Sequence, residues 1–217
     1  MAKGRLVIGT KRYSSWSLRG WLAVRLAGLD VEEVVVPLAG GSSPEVKRLT
    51  PSGTVPYLEH EGARIWESLA IAEYCAEIAP ALWPADRAAR AQARSVAAEM
   101  HAGFRGLRMA MPMNILRTFP GQRRTEEALA DIARIEAIWA EALAQYGGPF
   151  LFGPGFGLAD VMYAPVATRF LTWQPALSAT SRAYVDAVRA HPLMERWYAD
   201  AAAEPAAWLL EKYEDPA

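Results

Sequence analysis

The chain has 217 residues, 23 basic and 24 acidic side chains, a formal charge of -1 and 52% hydrophobic content. That is ample for a buried core and too even in charge for a broad nucleic-acid-binding or anionic-membrane surface. One cysteine, Cys75, and three scattered histidines exclude an internal disulfide framework, a CxxC redox pair and metal-ligand spacing. No apolar run approaches the roughly 18 residues of a membrane span, and the one near Met1 is too short for the hydrophobic region of a signal peptide. A soluble cytoplasmic protein is expected, acting without metal or protein thiol on small molecules or on other proteins.

Residues 5–9, Arg-Leu-Val-Ile-Gly, carry a short strand signal. A polar turn follows, and then Ser15 to Gly28 reads as a helix closed by glycine, with Leu18, Trp21, Leu22, Val24 and Leu26 as its apolar residues. Val31 to Val36 is dense in β-branched residues, and Ser43-Pro44-Glu45 opens a helix with serine at the cap and proline at the first position. Short extended pieces near Tyr57–Glu59 and Arg64–Trp66 precede a helix over Glu67–Ala79. The order is βαβα followed by ββα. Pro80 and Pro84 then bound a plausible interdomain linker. Beyond it the chain is alanine-rich and helical, with predicted helices over Arg87–Arg108, Thr125–Tyr146, Leu158–Trp173, Ser181–Ala190 and Pro192–Ala203. The division expected is residues 1–80, a linker over 81–86, and an all-helical domain over 87–217.

Four motifs in this frame resemble those of the cytosolic glutathione transferases. Tyr13-Ser14-Ser15-Trp16-Ser17, where the first strand gives way to the first helix, resembles the serine-type motif of the zeta class and its bacterial relatives. Thr54-Val55-Pro56 is similar to the family's Val-Pro before the third strand, Glu67-Ser68 to its Glu-Ser pair, and Phe156-Gly157-Leu158-Ala159-Asp160 to its helix-capping box. The matches fall in order and cover essentially the whole chain. They imply the glutathione transferase fold: a thioredoxin-like N-terminal domain followed by an all-helical domain. They also imply glutathione as co-substrate, a cis bond before Pro56 and a homodimer. Trp16, Val55, Pro56, Glu67 and Ser68 are the implied glutathione-binding residues, and Ser14 or Ser15 the group that holds the thiolate, with Ser14 preferred by its position in the motif.

The chemistry is sufficient on elementary grounds. A free thiol titrates near 8.5, and lowering that by about two units needs roughly 2.7 kcal/mol of preferential thiolate stabilisation. A hydrogen bond to a charged group supplies about 1.5–3 kcal/mol and a helix N-terminus roughly 0.3–1 more. One serine hydroxyl at the start of a helix therefore suffices, without a general base. Two departures stand out: Trp16 replaces the zeta cysteine, and Gly157 replaces the capping-box serine or threonine, leaving Asp160 to cap the backbone.

The second substrate is expected near Arg108, Met109, Met111, Met113, Asn114 and Arg117. Pro112 makes that stretch kinked or irregular. The methionines there are either core filler or a deformable electrophile pocket, and Arg108, Asn114 or Arg117 would receive an anionic substituent. Three functions follow: conjugation or reduction of small electrophiles, zeta-like maleylacetoacetate isomerisation, or glutathione binding without turnover.

Overall fold

A computed structural model describes residues 3–39 and 43–215; the outermost residues of the expected domain ranges lie outside these. The elements of the N-terminal domain are β1 (Gly4–Gly9), α1 (Ser15–Leu26), β2 (Glu32–Val36), α2 (Pro44–Leu49), β3 (Tyr57–His60), β4 (Ala63–Trp66) and α3 (Ser68–Ile78). Their four strands form one sheet in the order β2-β1-β3-β4, with β2 parallel to β1, and β3 and β4 antiparallel to their neighbours.

The apolar run of β1 is explained by its place inside the sheet, buried on both faces. Leu6 and Ile8 face α1 and α3 with Leu18, Leu22, Ile71 and Cys75. Val7 points the other way, into a smaller cluster with Val36, Val46 of α2 and Tyr57.

The helical domain contains α4 (Arg87–Ala102), α5 (Arg105–Ala110), α6 (Glu126–Tyr146), α7 (Leu158–Trp173), α8 (Ala179–Arg189), α9 (Pro192–Ala202) and the short α10 (Glu211–Glu214). Helix α7 is buried almost all round and packs on α1, α4 and α8, so it joins the two domains. Asp160 caps it as the sequence suggests, accepting the Gly157 N–H at 2.9 Å. The same carboxylate takes the Leu151 N–H and the Tyr184 hydroxyl, both at 3.0 Å.

One predicted element is corrected. The continuous helix expected over Arg87–Arg108 ends at Ala102, and Phe104 takes a left-handed conformation, φ 58°. A β-carbon on Gly103 would approach the Glu99 carbonyl oxygen to 2.8 Å, so glycine permits the close return of the chain. Arg108 folds back to bond the carbonyls of Met100, His101 and Gly103, satisfying the free end of α4. The irregular segment expected around Pro112 is present between α5 and α6. It is anchored by Ile115 N–H to Arg12 O at 3.3 Å and Phe119 N–H to Thr172 O at 2.7 Å.

Candidate functional site

The turn after β1 delivers two serines to the start of α1. Ser14 is the N-cap: its Oγ accepts the Ser17 N–H at 3.3 Å and donates to Ser17 Oγ at 2.7 Å, and Ser17 Oγ accepts the Gly9 N–H at 2.9 Å. Ser14 is thereby tied into the junction of α1 with β1. Ser15, the first residue of α1, faces the other domain instead. Its Oγ accepts from Arg169 Nη2 at 3.3 Å. Arg169 is buried and also donates to the Met111 and Pro165 carbonyls at 2.9 and 3.1 Å. Burial, reinforced by the charge of Arg108, pulls its guanidinium down to about 9, so it remains a cation at neutral pH. Ser15 therefore sits where a helix N-terminus and a buried cation both favour negative charge.

Trp16, the next residue of α1, opens on a cavity of about 300 Å³ lined also by Thr54, Val55, Pro56, Glu67, Ser68 and His101; Ser14 and Ser15 are buried and lie outside that lining. The Val55-Pro56 bond is cis. Glu67 caps α3: its Oε2 accepts the Ser68 N–H at 2.9 Å and the Ser68 hydroxyl at 3.4 Å. Its Oε1 meets His101 Nε2 at 2.9 Å. Burial lowers the His101 pKa, Glu67 opposes that, and Arg19 and Arg108 add to it; the imidazole is neutral at pH 7 and donates to Glu67 through Nε2–H. Trp16 forms one wall, its ring 4.8 Å from the Arg19 guanidinium, 4.7 Å from that of Arg108, and edge-on to His101 at 5.3 Å. These contacts hold the indole in place from both domains. The N-terminus of α3, with its first-turn amides, the Ser68 hydroxyl and the Glu67 carboxylate, offers complementary partners to an α-amino acid end group.

The six residues expected to line a second-substrate pocket do not form one wall. Arg108 is committed to the carbonyls at the end of α4, and its charge faces the Trp16 ring. Met111 and Met113 are buried in the main core, which is the filler role. Met109 is 69% exposed and lines a separate surface groove with Arg105, Gly106, Ala110, Thr125 and Glu127; the break at Phe104 turns α5 so that it points outward. Asn114 and Arg117 lie together, against the C-terminal turn. Asn114 Nδ2 donates to the Tyr213 carbonyl and to Glu214 Oε1, both at 2.9 Å, while Arg117 reaches the Glu214 carbonyl at 3.2 Å.

Four contributors carry no local signal in the sequence. His101 is one of three scattered histidines, Arg169 reaches Ser15 across 154 positions, and Tyr213 and Glu214 return to the site from the far end of the chain. Only long-range packing brings them in.

The sequence matches the description "Glutathione S-transferase, N-terminal domain" over residues 13–78 and "Glutathione S-transferase, C-terminal domain" over 122–200. A maleylacetoacetate isomerase of Rattus norvegicus is 30% identical over 171 residues, 76% of this chain and 78% of that protein. A probable maleylacetoacetate isomerase of Caenorhabditis elegans is 28% identical over 82% of this chain and 88% of its own. Among solved structures, a maleylacetoacetate isomerase from Anaeromyxobacter dehalogenans superposes with TM-score 0.67 at 26% identity, covering 96% of this chain and 97% of the other. A Burkholderia glutathione transferase homologue with bound glutathione has TM-score 0.70 at 23% identity, covering 93% and 99%.

Proposed function

We propose, from the premise that this chain belongs to the glutathione S-transferase family, that it binds glutathione in the Trp16–His101 cavity and uses Ser15 to hold the sulfur as thiolate. The observation that carries this reading is the convergence of the cis Val55-Pro56 loop, the Glu67-Ser68 end of α3 and the first turn of α1 on one cavity. Val55 offers backbone to the cysteinyl part, the Ser68 amide and hydroxyl pass from Glu67 to the α-carboxylate, and the Glu67 carboxylate so released takes the ammonium. Trp16 closes the side.

Of the two serines, Ser15 is supported by its partners. The Ser14 proton is already donated to Ser17, whereas Ser15 accepts from Arg169 and keeps its own proton for the sulfur. Hydrogen bonding to a charged group polarises that hydroxyl and strengthens it as a donor. The thiol proton passes to solvent, the thiolate attacks an electrophilic carbon to form the C–S bond, and the leaving group departs with its electron pair. Holding thiolate and electrophile together in a partly dry cleft supplies the rest of the acceleration.

A second reading rests on the relatives named maleylacetoacetate isomerase: reversible addition of the thiolate to a cis double bond, rotation, and elimination. Assays with glutathione and either 1-chloro-2,4-dinitrobenzene or maleylacetoacetate distinguish the two. Binding of glutathione without turnover of either leaves a binding module. A cytoplasmic homodimer active in detoxification completes the proposal, with the exposed apolar side chains of Trp66, Ile78 and Met109 as surface for a second copy to cover.

A further inference from the structure

We propose that Arg12, Tyr13, Asn114 and Arg117 form a carboxylate-binding subsite for the electrophile, which the chain's own Glu214 fills until an acidic second substrate displaces it. The inference deepens the proposed function and rests on it for the identity of the ligand as an electrophile.

Four side chains from two separate segments converge on one carboxylate. Glu214 Oε1 accepts from the Tyr13 hydroxyl at 2.5 Å, from Asn114 Nδ2 at 2.9 Å and from Arg12 Nη1 at 3.5 Å, and Oε2 lies 3.6 Å from Arg117 Nε. The two donor segments are also tied together independently of the tail. Arg12 O holds the Ile115 N–H, and the Asn114 carbonyl takes the Thr172 hydroxyl at 2.8 Å, so both segments are fixed to each other and to α7. With the tail seated on them, Tyr13 is 7% and Asn114 1% exposed. Donors this deeply buried cost about 1–3 kcal/mol each when left without an acceptor. An incoming carboxylate takes over the acceptor role that Glu214 fills for these donors.

The present occupant stands on a short element. Glu214 belongs to a four-residue helix whose Glu211 and Lys212 are exposed. The chain there is held by Tyr13, through the Leu210 N–H at 3.2 Å and the Tyr213 ring at 5.4 Å, and by Asn114 and Arg117, which donate to the Tyr213 and Glu214 carbonyls at 2.9 and 3.2 Å. The subsite also adjoins the chemistry: Tyr13 is two residues from Ser15. The ligand class that fits is a small electrophile bearing one carboxylate, with the tail acting as its internal competitor.

The test is calorimetric titration with 3-nitrobenzoate and its neutral isostere 3-nitrobenzamide, with and without saturating S-methylglutathione. The proteins are wild type, Glu214→Gln, the exposed control Glu211→Gln, and Glu214→Gln/Asn114→Ala. Removing the competing charge should tighten 3-nitrobenzoate about tenfold, equivalent to about 1.4 kcal/mol. It should leave 3-nitrobenzamide unchanged, the Glu211→Gln protein should behave as wild type, and Asn114→Ala should reverse the gain. Equal gains for the acid and the amide, or no gain in Glu214→Gln, would overturn the subsite. Failure of S-methylglutathione to bind any of the proteins counts against the glutathione reading instead, because the benzoate arm without it still decides the subsite.

Discussion

Gly20 of α1 lies directly against the ring of Pro56: a β-carbon at Gly20 would come within 2.7 Å of Pro56 Cγ and 2.8 Å of its Cβ. The helix that presents the serines and the loop that presents the Val55 backbone are thus in contact through the absence of a side chain. Overpacking of this kind costs about 1–3 kcal/mol, and the better helix propensity of alanine returns at most about 1 of that. Gly20→Ala should lower stability by up to about 2 kcal/mol in urea unfolding. It should also weaken S-methylglutathione binding several-fold, because the clash is relieved by moving Pro56. A destabilised variant with unaltered affinity would place the strain elsewhere.

His101 acts on the ligand through Glu67, as a positioning residue. With His101→Ala, Glu67 loses its Oε1 donor, and KM for glutathione should rise about three- to tenfold, a loss of the size expected for one hydrogen bond, with kcat little changed. His101→Gln, which can still donate, should recover part of the loss. Burial lowers the His101 pKa below its ordinary 6.5, so in the window below 6.5 the unfolded chain binds the proton first. Its contribution to stability is present above that window and is lost as pH falls through it. Urea unfolding from pH 7 to 5 should show that slope in wild type and a shallower one in His101→Ala.

Asp160 gives the opposite slope. Burial raises its carboxyl to about 6 against four hydrogen bonds that lower it, from Leu151, Gly157, Tyr184 and its own backbone N–H. Between the ordinary value of 3.8 and about 6 the folded chain holds the extra proton, so this group's contribution falls as pH rises through that window, by up to about 3 kcal/mol at 1.36 kcal/mol per unit. Asp160→Asn cannot accept from both the Leu151 and Gly157 amides and should be less stable throughout. The gap to wild type should be widest near pH 4 and narrower at pH 7. A gap that widens with pH would contradict this account of Asp160.

The local rules of the sequence made most of the fold legible. Strand β1, the Ser43-Pro44 helix start, the start of a helix at Glu67-Ser68 and the Asp160 cap are all written in neighbouring residues, and the tertiary structure agrees with each. The break after Ala102 was illegible because alanine-rich sequence favours continuation. What stops the helix is Arg108 folding back onto its end, together with the close return of Gly103 against Glu99. The candidate site divides along the same line. Trp16, Val55, Pro56, Glu67 and Ser68 lie within motifs and come together around the cavity. The partners that orient them, His101 for Glu67 and Arg169 for Ser15, are set by packing of α7 on α1 and of α4 on α7, which no spacing in the sequence encodes. Asn114 and Arg117 were recognisable as polar residues in an irregular segment, but the tail that covers them was not.

The most direct test of the account is an ultraviolet titration of the thiol of bound glutathione in wild type, Ser14→Ala and Ser15→Ala. The protein's own thiol does not interfere, because burial pushes Cys75 up to about 12. Ser14→Ala should lose about 1 kcal/mol of stability through its helix cap and keep the depressed thiol pKa. Ser15→Ala should fold normally and return the thiol to about 8.5, from a wild-type value about two units lower. An unshifted thiol in wild type, or a depression that survives in Ser15→Ala, would contradict the assignment of Ser15 as the group that holds the thiolate.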